Sequence, residues 1–458
     1  MPAHVGFFPI SVFWLIALLV VILLVFVYYK RPIYEAMGVA YLFTIVETGR
    51  YDLFWSGLIT PSSSSLFFII AGFLAFAHIL AKTGVVEKLI AIILSVVGGL
   101  PGGAGYVALF GSSAMATMTG TAAGNVAAVG SMTIPTMIRS GFPRHLAATV
   151  EMASGAMGNQ VGPGFNLMCF AILNTIYPGR YGLSTFWLGL YSVFFWMILQ
   201  RWVTMLVLCK YYKVGSVPRR DRPRLWDTLR RGWSTLLIPL FILGPLLFDA
   251  SCKDFLVSRY GPAGARAFSS SILMMAAGVC TIYALLIGRH EIPGGPNFKS
   301  VFNLFRDSIT RVVPISVTIY FGYAIAVVFQ GVEMNEAMRA WFLSFGFGPV
   351  GWALLVVIVT AFLGMVLPGS SQVAILGPAI ISTGAAVGIN PFLVATVMPA
   401  FTGCMESIVP PHALAMWAAI GIARSKFWET CRLTFLWVGV HAALTVIILL
   451  GLLPVYVR

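Results

Sequence analysis

Oxygen-bearing side chains gather twice in this chain, each time where proline and glycine interrupt apolar sequence. The first gathering holds Ser112, Ser113, Thr117, Thr119, Gly120, Thr121 and Asn125, followed by Ser154, Gly155, Asn159, Gln160 and Gly162. The second holds Gly369, Ser370, Ser371 and Gln372, followed by Thr402, Gly403, Glu406, Ser407 and Pro410. Hydroxyls, amide oxygens and carbonyls bared by a helix break are hard ligands suited to sodium, although residue types alone assign no individual ligand. A half-helix also directs positive partial charge from its N-terminus, so helices starting near Gly120 and Gly369 favour a carboxylate. Small residues also pack helices closely. That explains an isolated serine or glycine, but close packing does not require the proline–glycine interruptions found here.

Ionisable residues inside apolar runs are the next candidates. Glu406 adjoins the second interruption and could hold a cation or a proton, or form a salt bridge. Glu151 sits in a short apolar segment near the first. His412 follows Pro410-Pro411 and titrates near neutrality or caps a helix. Glu47, Arg50 and Asp52 read as an interfacial turn that breaks the second apolar segment. His78 and His441 read as buried, hydrogen-bonded histidines.

The segments that must position these groups are membrane spans. Of the 458 residues, 59% are hydrophobic and 10% charged, against about 25% charged in soluble domains. With about 20 residues per crossing, the chain has room for roughly a dozen. The net charge of +14 lies in short stretches between apolar runs, the placement expected of cytoplasmic loops rather than of a nucleic-acid surface. Lys30 and Arg31 follow the apolar run Val12–Tyr28, which reads as a retained first helix with its N-terminus outside. The six cysteines are scattered without a C-x-x-C, which excludes a metal cluster or disulfide framework from the reading. Between Lys210 and Arg231, eight basic residues face two aspartates. There Leu225, Trp226, Leu229 and Trp233 recur at helical spacing, the pattern of a cytoplasmic helix lying in the interface.

Apolar pieces near 104–118, 122–138, 373–386 and 391–403 are too short for full crossings and read as re-entrant or broken helices. Breaks are expected at Pro101-Gly102-Gly103, Gly120, Pro135, Gly162-Pro163-Gly164, Pro368-Gly369, Pro399 and Pro410-Pro411. Such breaks occur at membrane depth only where the freed backbone is buried in protein or lines a cavity. The pieces also repeat. At an offset of 247, Leu146, Thr149 and Val150 fall on Leu393, Thr396 and Val397, Gly141 on Gly388, and Pro163 on Pro410. At a slightly different offset Pro135 matches Pro378. The first turn carries Arg139, Arg144 and His145, whereas Ala385–Asn390 carries no charge, so the first faces the cytoplasm and the second the exterior. Paired interrupted segments of opposite orientation are the signature of a secondary transporter with its site between the repeats.

Gly111-Ser-Ser, Thr119-Gly-Thr-Ala-Ala-Gly-Asn125-Val126, Thr133-Ile-Pro135 and Gly141-Phe142 resemble the first hairpin of the large membrane subunit of TRAP transporters, especially the TAXI type. Gly364-Met-Val-Leu-Pro368 and Val409-Pro-Pro-His-Ala-Leu-Ala415 resemble its second-half signatures, and the similarity runs in order over most of residues 60–455. The resemblance implies a sodium-driven importer of small organic acids in the bacterial inner membrane. It implies an elevator-type transport domain, a small membrane subunit and a periplasmic substrate-binding protein. Carried over by motif, the hairpin tips are Thr119–Asn125 and Gly369–Gln372, and the discontinuous helices are Ser154–Pro163 and Thr402–Pro411. Several residues depart from the pattern. Gly369-Ser-Ser-Gln372 replaces Thr-Thr-Ala-Ala, Gly162-Pro163-Gly164 replaces a double proline, and Glu406 and His412 are unexpected there. TAXI members commonly carry a fused small-subunit region for which this length leaves no room, so a separate protein is expected to supply it, or transport proceeds without it.

The expected fold is therefore an all-α integral membrane protein, an inverted-repeat transporter with two re-entrant hairpins and discontinuous helices. Scaffold helices occupy 1–100, and the first transport half occupies 101–182. Further scaffold with the basic arm 210–231 occupies 183–345, and the second transport half with a C-terminal helix occupies 346–458. The alternatives are a stand-alone proton-coupled carrier or exchanger using Glu406 or His412, an intramembrane enzyme built on the same two residues, and a non-transporting assembly subunit. No nucleophile or metal-ligand spacing accompanies the enzyme reading, and the expected partners are the bilayer, the organic acid and the two companion proteins.

Overall fold

The computed structural model describes residues 4–5, 8–162 and 164–457; Pro163, in the middle of the first expected break, lies outside the described residues. Apart from a two-residue antiparallel pairing at His4–Val5 and Phe8–Pro9, the secondary structure is helical. Among the described residues, six helices are long and apolar enough to cross a bilayer, and the pair Tyr51–Ser62 and Phe67–Leu80, bent by 47°, makes a seventh if taken as one span. Helices apolar on most faces need partners on some sides and lipid on the rest. Accordingly Phe298–Gly331 packs on Ile33–Thr48, Ser65–Leu80 and Gly369–Ala386, while Val313 and Phe302 on the same helix stay exposed.

Both short-helix pairs are hairpins. Gly103–Thr119 and Ala122–Arg139 are joined by Gly120 and Thr121, and Pro349–Gly364 and Gly369–Ala386 are joined by Met365–Pro368. The first turns back because Gly120 is left-handed (φ 62°) and Thr121 extended, a conformation glycine reaches without a Cβ clash. In the second, Pro368 takes the extended position just before the helix, where its missing N–H costs nothing. Pro135 behaves differently from the sequence expectation: it sits inside a continuous helix, as its repeat partner Pro378 also does. An internal proline removes one ladder bond, and here each arm stays packed along its length on neighbouring helices, so the helix carries on through it.

Each hairpin is followed by an interrupted helix. Arg144–Ala156 and Gly158–Val161 lead into an extended Gly162, and Asn166–Ile176 follows. Pro391–Pro399 widens into a π turn over Ala400–Cys404, a device common at functional sites, and the chain then unwinds before Leu414–Ala423.

The opposite orientation of the two copies is visible along one helix. Leu183–Tyr211 has 29 residues, about 43 Å at 1.5 Å per residue. Tyr212, just past its C-terminal end, meets His145 of the first hairpin's base at 3.3 Å. Just before its N-terminal end, Tyr181 packs on Phe392 at the second hairpin's base, with ring centroids 5.2 Å apart. The two bases therefore lie at opposite ends of one span. The basic arm belongs to the first end, where Gly102 N–H donates to Gly215 O at 3.0 Å and Arg139 stands 4.0 Å from Asp221. Its helix Leu225–Gly232 packs on Val85–Val97 while Trp226 and Trp233 remain exposed, as suits an interfacial element. Gly49 ends Ile33–Thr48 with φ 67°, and a 3-10 turn over Tyr51–Leu53 with the Arg50–Asp52 pair at 2.8 Å forms the expected interfacial corner.

Trp352 ties the arms of the second hairpin together: it is fully buried, lies against Gly384, and donates through Nε1 to Thr383 Oγ1 at 2.9 Å. Trp352→Ala is expected to lower stability by about 3–5 kcal/mol, with Trp352→Phe losing only a fraction of that. Thermal unfolding of the detergent-solubilised protein checks this, and equal midpoints for wild type and alanine variant would refute it.

Candidate functional site

The two tips meet. They enclose a cavity of about 500 Å3 whose wall includes Thr119–Gly124 from the first tip and Pro368, Gly369 and Ser370 from the second. Asn159, Gly164 and Phe165 come from the first break, and Glu406 and Ser407 from the second. The remaining wall comes from Ser65–Leu80 and Phe298–Gly331, through Leu74, Ala77, His78, Thr310 and Ile315. The helices starting at Ala122 and Gly369 both present their first turn to this space, so two positive helix ends converge on it.

Glycine makes the convergence possible. A Cβ at Gly162 would collide with Gly120 and with the carbonyl of Ala116. One at Gly164 would lie 2.8 Å from Gly120 O, and one at Gly158 would lie 2.7 Å from Thr121 O. The second half repeats this arrangement, since a Cβ at Gly369 would strike Gly403. Each tip thus rests main chain on main chain against the break of its own half.

Asn159 joins the two halves. The first-arm tip leaves the Ala122 N–H without a helical acceptor, and the Thr121 side chain does not cap it. Asn159 Oδ1 accepts from that N–H at 3.1 Å, while its Nδ2 donates to Gly403 O at 2.7 Å and to Ser407 Oγ at 2.9 Å. In the offset-247 register Asn159 falls on Glu406, so the repeat places an amide in one half where the other has a carboxylate. Glu406 Oε2 lies 2.9 Å from His412 Nδ1, and Ser407 Oγ donates to Oε1 at 3.1 Å. Gln160 continues the stitching across the repeats by donating to Thr396 O at 3.0 Å.

The breaks are less bare than the sequence reading expected. Asn166 Nδ2 donates to Gln160 O at 3.0 Å, Asn166 Oδ1 accepts from Gly164 N–H at 3.1 Å, and Trp187 Nε1 donates to Val161 O at 3.2 Å. Buried backbone groups need partners, and side chains from neighbouring helices supply several of them here. The groups left over are mainly side-chain oxygens. Thr119 Oγ1, Asn125 Oδ1, Gln160 Oε1, Ser371 Oγ and Gln372 Oε1 are buried without a hydrogen-bond partner. All five belong to the tips or the first break, and all five are hard acceptors.

Of the residues singled out by sequence, Thr119, Gly120, Thr121, Asn159, Gly369, Ser370, Glu406 and Ser407 line the cavity. Asn125, Gln160, Gly162, Ser371, Gln372, Gly403 and Pro410 lie buried behind that wall. Asn125 braces it, donating through Nδ2 to Ser112 O at 2.9 Å and to Gly155 O at 3.3 Å. Ser154 and Thr402 turn their hydroxyls into their own helices, bonding Val150 O and Met398 O at 2.7 Å each. Glu151 is fully buried away from the cavity and takes bonds from Ser112 Oγ (2.8 Å) and Thr133 Oγ1 on the two arms of the first hairpin. His441 is buried and pairs with Ala400 O at 2.9 Å.

Four contributors escaped the sequence reading: Phe165, Asn166, Trp187 and Arg201. Arg201 is buried, donating through Nε to Ala153 O at 2.6 Å and through Nη1 to Gln200 Oε1 at 2.9 Å. It places a cation near the C-terminal carbonyls of Arg144–Ala156, the end that favours one. A lone arginine inside the apolar run 184–209 was the available signal.

Replacing Asn159 by alanine strips the Ala122 N–H of its partner and takes one of its donors from Gly403 O, which keeps Ser407 Oγ. The expected cost is about 1–3 kcal/mol, with faster amide exchange confined to the first tip and the second break. Hydrogen exchange with mass spectrometry reads this, and unchanged protection at Ala122–Asn125 would refute the bridging role.

A family model described as "Tripartite ATP-independent periplasmic transporter, DctM component" matches residues 17–454. The isethionate TRAP transporter permease protein DctMQ of Oleidesulfovibrio alaskensis is 22% identical over 406 residues, covering 88% of this chain and 59% of its own. The sialic acid TRAP transporter large permease protein SiaM of Vibrio cholerae is 22% identical over 80% of this chain and 78% of its own. The C4-dicarboxylate TRAP transporter large permease protein DctM of Rhodobacter capsulatus is 24% identical, covering 83% of each. The chain thus spans less than two thirds of the first relative and about four fifths of the other two. Two solved structures share the fold: the Alcanivorax borkumensis YdaH transporter (TM-score 0.64, 15% identity, 92% of this chain and 90% of that one) and MtrF of Neisseria gonorrhoeae (TM-score 0.62, 12% identity, 88% and 85%). The match over 17–454 takes in both hairpins, both breaks and the cavity between them, and the chain belongs to the DctM component family of tripartite ATP-independent periplasmic transporters.

Proposed function

We propose that this multi-pass chain is the carrier subunit of a sodium-coupled importer of a small organic acid. In this reading a periplasmic binding protein delivers the acid, and a small membrane subunit, on a separate chain, braces the scaffold. The single observation that carries the reading is the cavity of about 500 Å3 held between two inverted hairpin tips. Its chemistry suits such cargo. Two helix N-termini supply a positive field for a carboxylate, and the partnerless oxygens of Thr119, Asn125, Gln160, Ser371 and Gln372 are of the kind that takes a monovalent hard cation. The relatives are named for isethionate, sialic acid and C4-dicarboxylates, all small organic acids.

The position of the cavity supports alternating access. Its outer wall is formed by Ala77, His78 and Ala81 next to Lys82, and by Thr310 in the first half of Phe298–Gly331. These are the scaffold ends on the basic, cytoplasmic side. In an elevator mechanism this arrangement is the inward-facing end of the cycle, and the hairpins with their breaks carry the cargo past the scaffold helices.

A second reading draws on an observation of its own. Glu406 and His412, 2.9 Å apart at the second break, would let a proton replace sodium as the coupling ion.

Reconstitution with candidate binding proteins, under an imposed sodium or proton gradient, tests both. Acid uptake that follows the sodium gradient and requires the binding protein is expected. Uptake that follows only the proton gradient supports the second reading, and uptake indifferent to both gradients and to the partner overturns the proposal. Gly120→Val or Gly369→Val is expected to abolish uptake with normal insertion, because Gly120 holds a left-handed backbone that valine resists and a Cβ at Gly369 would strike Gly403. Uptake at the wild-type rate by a well-expressed variant would overturn the assignment of the tips.

A further inference from the structure

A second cavity, of about 680 Å3, lies at the other end of the molecule from the basic arm. One wall is formed by Phe170 and Asn174 of Asn166–Ile176, by the turn through Arg180 and Tyr181, and by Ser184 at the start of Leu183–Tyr211. The lining also includes Asp249 at the end of Leu237–Ser251 together with Pro262, Ala265 and Ser269 of Lys253–Ile287. Because Leu183–Tyr211 ends in the basic arm, its beginning, and this cavity with it, lies on the exterior side.

Two opposite charges line this cavity without neutralising one another. Asp249 is only 7% exposed and has no basic side chain within ion-pair distance among the described residues. Hydroxyls hold both of its oxygens in place: Ser184 Oγ donates to Oδ2, and Ser269 Oγ donates to Oδ1 at 2.6 Å. A carboxylate oxygen has more than one lone pair, so each retains accepting capacity toward the cavity. Arg180 likewise has no carboxylate within reach among the described residues. Its guanidinium rests on the rings of Tyr177 and Tyr181, 5.8 and 5.4 Å from their centroids. Stacking of this kind orders the side chain while leaving the N–H fork free for a carboxylate or phosphate. A carboxylate positioned by two hydroxyls and an arginine ordered by two rings, both lining one cavity, are arranged for an occupant that brings both charges.

We propose that this cavity is a binding site for a small zwitterion, whose carboxylate or phosphate pairs with Arg180 and whose ammonium pairs with Asp249. The site is separate from the cavity between the tips and does not depend on the transport reading. The same chemistry is offered by a free amino acid-like solute and by an ethanolamine phospholipid headgroup, and the experiment distinguishes these sources. Equilibrium binding to the purified full chain is measured by calorimetry with two probes, 4-aminobutyrate for the free solute and dihexanoyl phosphatidylethanolamine in detergent for the headgroup. At least one probe is expected to bind saturably, and roughly tenfold more weakly to Arg180→Gln and Asp249→Asn. A control variant, Gly369→Val at the other cavity, is expected to bind as the wild type does. Binding of the first probe alone identifies a solute site, and binding of the second alone identifies a lipid site. Saturable binding of neither probe to the wild type overturns the proposal, as does equal affinity of wild type and Arg180→Gln. Arg180 sits on an exposed turn, so its variant decides the matter even where Asp249→Asn fails to fold.

Discussion

The arrangement depends on one side-chain amide. Asn159 accepts from the N–H that opens the second arm of hairpin one and donates to two oxygens of the opposite half. Beside it the two repeats are joined by Gln160 and by Asn166–Ile176 packed on Gly369–Ala386 and Pro391–Pro399. An amide whose oxygen and both N–H groups are engaged is worth keeping, because losing it leaves buried polar groups short of a partner. The bond geometry also sets position, since three fixed partners on two segments leave one place for the amide. A single planar group thus fixes the first tip against the break of the second half.

Around that amide the two halves share a backbone plan and differ in charge. Both run hairpin, short helix, break; both rest a tip glycine on a break; both place a polar residue at the register shared by Asn159 and Glu406. In the first half that residue is neutral and fully engaged with protein atoms. In the second it is an acid whose companion is a histidine at 2.9 Å. The repeat thus supplies a common scaffold, and the charge that distinguishes one side of the cavity from the other resides in one position of the second copy.

The sequence disclosed the helix breaks well and the bonds across them poorly. Gly120, Pro368 and the unwound stretch before Leu414 were legible because proline and glycine act on local dihedral angles, a property carried by the residue itself. Pro135 misled for the same reason: local chemistry argued for a break, while lateral packing kept the helix continuous. Asn166, Trp187 and Arg201 were illegible as parts of the site because each acts on a carbonyl that only the fold brings near; Arg201 reaches one 48 positions away. Ser154 and Thr402 show the converse, since a hydroxyl near a break counted as available until the helix claimed it. The orientation of the repeat was legible from three basic residues, because the charge bias across a membrane is a property of loops rather than of contacts.

The seating of each tip glycine on the opposing main chain has a consequence for diversification. Peptide atoms touching peptide atoms hold no information about cargo, and a contact that excludes even a methyl group leaves mutation nothing to adjust. Variation that alters preference is thereby displaced to the far side of the chamber, onto Leu74, Ala77, Thr310 and Ile315, where side chains of any size can be exchanged. A lineage can thus change what it carries by redecorating one panel while the moving parts stay as they are.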